Sequence, residues 1–249
     1  MQLNNTFQKA TDILFLFDKS RPVLDVSKIA SLLNLPLSTT YRYIANLKSK
    51  GLIEEFGHKG CYRLGFKIFE LTKTLRDQLS IVEIALPVMQ RLQKETEETI
   101  NLLSHQRNKV IIIERIESNQ PLRYSSDLGR ALFMHAGASG KVMMAHLDEA
   151  EQDRIIKEEG LPKLARNTIT DPVKLKRDLR LIRKRGFAIS VDEVDPGARA
   201  IAAPILDQGQ KLVGGLGIVG PATRIAGSKI DTFSHMVVEA ASEIGQRIK

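Results

Sequence analysis

The chain has 249 residues, enough for one large domain or two ordinary ones, and 43% of them are hydrophobic, which excludes wholesale disorder and allows a packed core. No run approaches the ~18 apolar residues of a membrane span and no charged-then-apolar leader opens the chain, so a soluble, cytoplasmic protein is expected. A net charge of +8 points to an anionic partner, and the single cysteine, Cys61, excludes an internal disulfide and a cysteine-cluster metal site.

Phe7, Ala10, Ile13, Leu14 and Phe17 recur at helical spacing and predict a first helix covering a small core. Val26, Ile29, Ala30 and Leu33 line a second helix, which ends at Asn34, a residue that tolerates the left-handed turn conformation. Leu35 plugs the angle to the next helix, and Pro36 extends the turn to Ser38, read as the N-cap of a helix over about Ser38 to Lys50. On that helix Ile44 and Leu47 face inward, which leaves Thr39, Thr40, Tyr41, Arg42, Tyr43 and Asn46 outward. Hydroxyls, a guanidinium and an amide on the N-terminal half of a helix suit a DNA major groove.

Two strand-like runs, 52–56 and 61–64, flank the turn Gly57-His58-Lys59-Gly60 and form a basic hairpin with Lys59 and Arg63. Helical hairpins of any kind share the apolar spacing above; the added hairpin makes residues 1–65 a winged helix-turn-helix. The first 66 residues hold nine Lys and Arg against five Asp and Glu, half of the net charge on about a quarter of the chain. The expected DNA-contacting set is Ser38, Thr39, Thr40, Tyr41, Arg42, Tyr43, Asn46, Lys48, Lys59 and Arg63.

Phe66, Phe69, Leu71, Leu75 and Leu79 predict an amphipathic linker helix over 66–79. Ser80-Ile81-Val82-Glu83 has capping-box form and opens a helix with Ile84, Val88 and Leu92 on one face. Strands are expected at Ile100–Ser104, Val110–Ile116 and Leu122–Ser125, the first two joined by a hairpin turn at Asn108-Lys109. Helices follow from Ser139 to His146 and from about Glu149 to Glu159, ending at Gly160. Another starts after Asp171-Pro172 and stops at Gly186, with Pro in its first turn and Gly just past its end. Strands Phe187–Val191, Arg199–Leu206 and Lys211–Val219 and a helix from Ser228 complete residues 80–249, an α+β domain with a mostly antiparallel sheet.

Within that domain, Ala136-Gly137-Ala138-Ser139-Gly140 leads into a helix whose amides would suit a carboxylate; the alternative reading is a tight turn that only packs the helix on the sheet. Lys141 invites comparison with a phosphate-binding loop, but His135 stands where that motif needs Gly and Val142 where it needs Ser or Thr. The five histidines show no metal-site spacing, no nucleophile signature appears, and Asp192, Glu193 and Asp195 read as a solvated acidic loop. No catalytic residue, metal or cofactor is expected.

Taken together, Leu37–Arg42, Gly60–Gly65, His135–Lys141, Arg185–Ala188, Pro196–Ile205 and Gly220-Pro221 give the chain its resemblance to the IclR family of bacterial transcriptional regulators, over nearly the whole length. The resemblance implies a winged helix-turn-helix, a linker helix and a GAF-like domain that binds a small effector, in homodimers or homotetramers on operator DNA. It places effector contacts at Leu132, Ala138, Ser139, Ser190, Ala200, Gly217 and Val219. Ser190 stands where the family often has Asp, with Asp192 and Glu193 close enough to substitute; Ala200 replaces a frequent Cys, and Gly217 and Val219 replace frequent Ser residues. Fewer polar groups remain to orient a small polar acid, so either the effector, a small organic acid, has a more apolar or bulkier body, which is the preferred reading, or the pocket has weakened or lost binding. One winged helix buries too little surface to select a site in a genome, so a pseudo-palindromic operator is expected. Two competing readings are a hydrolase or lyase whose N-terminal region serves only assembly, and a non-specific nucleic-acid-binding protein.

Overall fold

The computed structural model describes residues 5–77, 80–124 and 127–248. The chain divides into two compact units, Met1–Leu79 and Ser80–Lys249.

The first unit contains α1 (Asn5–Leu14), β1 (Leu24–Asp25), α2 (Val26–Leu32), α3 (Leu37–Ser49), β2 (Ile53–Glu55), β3 (Cys61–Leu64) and α4 (Phe66–Asp77). The Asp25 carboxylate caps α2 by accepting from Lys28 N. Asn34 takes a positive φ of 51°, and Leu35 N then donates to Ala30 O at 2.9 Å, which sets the turn into α3. Ile13, Phe17, Val26, Ile29, Ile44, Leu47 and Ile53 form the core, closed by an antiparallel sheet of order β1-β3-β2. Gly57 and Gly60, at φ 76° and 86°, shape the expected β2–β3 turn.

Helix α3 begins at Leu37 rather than at Ser38, so Ser38 lies in its first turn and Pro36 is the N-cap, its carbonyl accepting from Thr40 N at 3.0 Å. Thr40 and Tyr43 do not face outward. Thr40 is 0% exposed, with its hydroxyl donating to Pro36 O at 3.1 Å, and Tyr43 is packed in the core. The reason is arithmetic: positions 40, 43, 44 and 47 share one helical stripe, wider than Ile44 and Leu47 alone suggest. Phe7 is 71% exposed and covers no core. On α4, Phe66, Phe69, Leu71 and Leu75 are all exposed, and at about 100° per residue the Phe pair and the Leu pair lie on opposite sides rather than one face. Leu79 and Gln78 lie outside the described residues.

The second unit runs α5 (Ser80–Thr96), β4 (Thr99–Gln106), β5 (Lys109–Ile116), β6 (Ala131–Phe133), α6 (Gly137–Met144), α7 (Glu149–Glu159), α8 (Pro172–Arg185), β7 (Ala188–Val191), β8 (Ala198–Leu206), β9 (Leu212–Pro221) and α9 (Lys229–Gln246). Its six strands form an antiparallel sheet of order β6-β5-β4-β9-β8-β7. Successive glycines on β9 meet opposite layers: a Cβ on Gly214 would touch Ile81 of α5, and one on Gly215 would touch Met143 of α6. Helices α5 and α9 thus cover one face and α6 the other, where α7 and α8 bury Ile155, Leu175, Leu179 and Ile182 against it.

The predicted strand at Leu122–Ser125 is absent over its described residues 122–124, and Ser125 lies outside them. The edge position beside β5 belongs to β6, too short for alternation to reveal, and β1 escapes sequence reading for the same reason. The β4–β5 turn falls on Arg107-Asn108, with Arg107 at φ 54°, one residue earlier than expected. Helix α6 starts at Gly137, two residues before the expected Ser139.

Candidate functional site

In the first unit, α3 presents Ser38, Tyr41, Arg42 and Asn46 to solvent, with Thr39 half-buried, on a base of Thr40, Tyr43, Ile44 and Leu47. Tyr41 is 49% exposed, and the Arg42 guanidinium stands 5.6 Å from the Tyr43 ring centroid. Tyr43 therefore supports Arg42 from beneath rather than facing a partner. Lys59 is exposed on the β2–β3 turn.

Two of the expected cations are engaged within the chain. Lys48 Nζ lies 3.1 Å from Glu55 Oε2, and Glu55 Oε1 accepts from Gly60 N at 2.9 Å. The Gly60 amide first, and then Lys48, hold the Glu55 carboxyl below its ordinary range, so this side chain ties α3 to the wing turn. Arg63 Nε donates to Glu54 Oε1 at 2.7 Å, with its guanidinium stacked 4.0 Å over Phe56. Among the ten expected residues, Ser38, Tyr41, Arg42, Asn46, Lys48 and Lys59 are exposed, Lys48 while paired with Glu55.

Basic charge is also concentrated elsewhere. Helix α8 alone carries seven Lys and Arg against one Asp, so the modest net charge after residue 66 conceals one strongly cationic helix.

The second unit holds a cavity between the start of α6 and the loops that end β5 and β7. Of the eight expected effector residues, Leu132, Ala138, Ser139, Ser190, Ala200 and Val219 line it. Gly217 sits just behind the wall, where a Cβ would come 3.4 Å from Ser139 Oγ. Asp192 is turned away; it adopts φ 51° and accepts from Gly197 N at 2.6 Å, bracing the β7–β8 turn. Its neighbour Glu193 enters the wall instead.

Glu193 changes the electrostatics expected of this loop. Gly137 N donates to Glu193 Oε2 at 3.0 Å, and Ala138 N donates to Ser190 Oγ at 2.9 Å. Two of the amides at the positive end of α6 are thus already satisfied by the chain itself. Glu193 Oε1 meets Lys141 Nζ at 2.6 Å, and the same ammonium reaches Asp178 Oδ2 of α8 at 2.9 Å. The Lys141 side chain is only 3% exposed, so it is the centre of a buried ionic triad and not a phosphate-binding lysine. Burial nevertheless pushes the Glu193 carboxyl above its ordinary value, against the pull of Lys141.

Sequence reasoning missed Asn101, Ile112, Arg130, Val194 and Asp195 in the cavity wall. Arg130 Nη1 and Nη2 lie 3.3 and 3.2 Å from the two carboxylate oxygens of Asp195, across the cavity mouth. Sixty-five positions separate the partners, so no local spacing announces the pair. The free volume is about 60 Å³, well under the ~300 Å³ of an open ligand site.

Residues 6–55 match the model of the IclR helix-turn-helix domain, and residues 73–246 match that of the bacterial transcriptional regulator IclR C-terminal domain. The transcriptional repressor IclR of Escherichia coli (strain K12) is 30% identical over 221 residues, 88% of this chain and 81% of the repressor. The crystal structure of Thermotoga maritima IclR, 32% identical, superposes with a TM-score of 0.78 over 97% of both chains. An IclR homolog from Microbacterium hydrocarbonoxydans, complexed with 4-hydroxybenzoate and 26% identical, superposes with a TM-score of 0.85 over 97% of this chain and 98% of its own. Matches that span both units in order, on a helix-turn-helix followed by an antiparallel α+β domain, establish that this chain belongs to the IclR family of bacterial transcriptional regulators.

Proposed function

We propose that this protein is a cytoplasmic, sequence-specific operator-binding regulator whose DNA affinity responds to a small organic acid bound in the second unit. Helix α3 enters the major groove with Arg42 and Asn46 reading base edges, while Ser38, Tyr41 and the wing Lys59 hold phosphates. The observation that carries the effector half of this reading is the cavity at the start of α6. It combines apolar walls (Ile112, Leu132, Ala200 and Val219) with a few fixed polar groups, the composition of a small-molecule site. Its small volume means that a ligand must part the walls on entry, which supplies the change of shape that regulation requires.

The active species is a homodimer or homotetramer on a pseudo-palindromic site. Phe66, Phe69, Leu71 and Leu75, exposed on two sides of α4, together with Phe7 on α1, are the surface offered for assembly. The family is one of transcriptional regulators, which favours this reading over the hydrolase or lyase alternative.

Selection of bound duplexes from random DNA tests the first half, with an enriched inverted repeat as the expected result. Gel shifts of the selected duplex with and without carboxylic acids, 4-hydroxybenzoate among them, test the second. Failure to enrich any sequence above bulk binding in moderate salt defeats sequence-specific recognition, because non-specific binding rests on phosphate contacts alone.

A further inference from the structure

We infer that Arg130, rather than the Gly137 amide at the start of α6, is the group that selects an anionic effector. This rests on the effector-cavity reading above. The amides of Gly137 and Ala138 are committed to Glu193 and Ser190. Freeing Gly137 would pull Glu193, 8% exposed, out of a pairing with a lysine that is itself buried. An uncompensated charge in that position is unfavourable, so an incoming carboxylate does not compete for the Gly137 amide.

The mouth of the cavity offers the opposite balance. Arg130 is the one cation in the cavity wall among the described residues, and its partner Asp195 lies at 3.2 to 3.3 Å, longer than a tight charge-assisted bond. Both side chains are 37% exposed, so water can solvate Asp195 once it is displaced. A ligand carboxylate can therefore replace Asp195 on the guanidinium, in the two-toothed geometry that Arg favours, while its apolar body lies against Ile112, Leu132, Ala200 and Val219. Exchange of partner also opens the clasp between the β6 edge and the β7–β8 turn. The ligand class is a monocarboxylate with an apolar body.

Calorimetric titration of the full chain with benzoate and hexanoate, each beside its primary amide, tests this. Wild type is expected to bind at least one acid tenfold or more tighter than its amide. In Arg130→Gln the two should bind within about twofold of each other, Arg130→Lys should keep part of the preference, and Asp195→Asn should strengthen acid binding. Ala200→Phe, which fills the cavity floor, should lose acid and amide alike. Acid preference that survives in Arg130→Gln, with binding lost in Ala200→Phe, overturns the Arg130 assignment alone. Binding indifferent to Ala200→Phe, or no binding of any of the four probes, overturns the cavity reading and this inference with it.

Discussion

Lys141→Met removes the centre of the buried triad and is the sharpest available test of how the second unit holds its site. The ammonium is 3% exposed, 2.6 Å from Glu193 and 2.9 Å from Asp178. Asp178 is 26% exposed and can turn to water, but Glu193, at 8%, keeps only the Gly137 amide. Breaking a buried pair in this way costs about 3–5 kcal/mol. For a unit of this size each kcal/mol lowers the melting temperature by about 2–4 °C, so a fall of roughly 6–20 °C is expected.

The loss should depend on pH with a definite sign. Burial already raises the Glu193 carboxyl above its unfolded value, and without Lys141 it rises further. A raised folded pKa gives stability that is fully present below the unfolded pKa and is lost as pH rises through the folded one. The variant should therefore be closest to wild type near pH 5 and fall behind it toward pH 8. Lys141→Met with Glu193→Gln should regain much of the loss, since the stranded charge is gone. Thermal melts at a series of pH values give all three comparisons. A melting temperature within about 2 °C of wild type at pH 8 refutes the reasoning, as does a deficit equal at both ends of the pH range.

Arg42→Ala should weaken binding to the selected duplex by about 1–3 kcal/mol if the guanidinium reads a guanine edge, whereas Lys59→Ala should weaken all duplexes alike and flatten the salt dependence in anisotropy titrations. Thr40→Val should cost the first unit about 0.5–1.5 kcal/mol in urea melts through its hydrogen bond to Pro36, and leave operator discrimination unchanged because the side chain is buried. Gly140→Ala should destabilise the second unit by about 1–3 kcal/mol, since a Cβ there would come within 2.3 Å of the Phe133 carbonyl at the end of β6. Phe69→Glu, at a position 72% exposed, should shift sedimentation toward monomer; an unchanged sedimentation profile at micromolar concentration removes this residue from the assembly surface.

Local chemistry made much of this protein legible in its residues. The turn at Asn34, the Gly57–Gly60 hairpin, and α8 with Asp171 before it and Gly186 after it follow from short-range backbone preferences and side-chain caps. Long apolar runs likewise marked β4, β5, β8 and β9. The family resemblance named six residues that line the cavity. What the chain could not announce locally was every feature decided by partners distant in sequence. Tyr43 and Thr40 are buried because α1, α2 and the small sheet close over that stripe, and β1 and β6 are strands because neighbours supply their hydrogen bonds. Glu193 reaches the Gly137 amide across 56 positions and Arg130 reaches Asp195 across 65, so only the sheet order brings those groups together. The first amide of the loop that composition marks as an anion receptor is, after folding, satisfied by the Glu193 carboxylate. Periodicity and turn chemistry act within a few residues, whereas burial and charge pairing are settled by the whole tertiary fold.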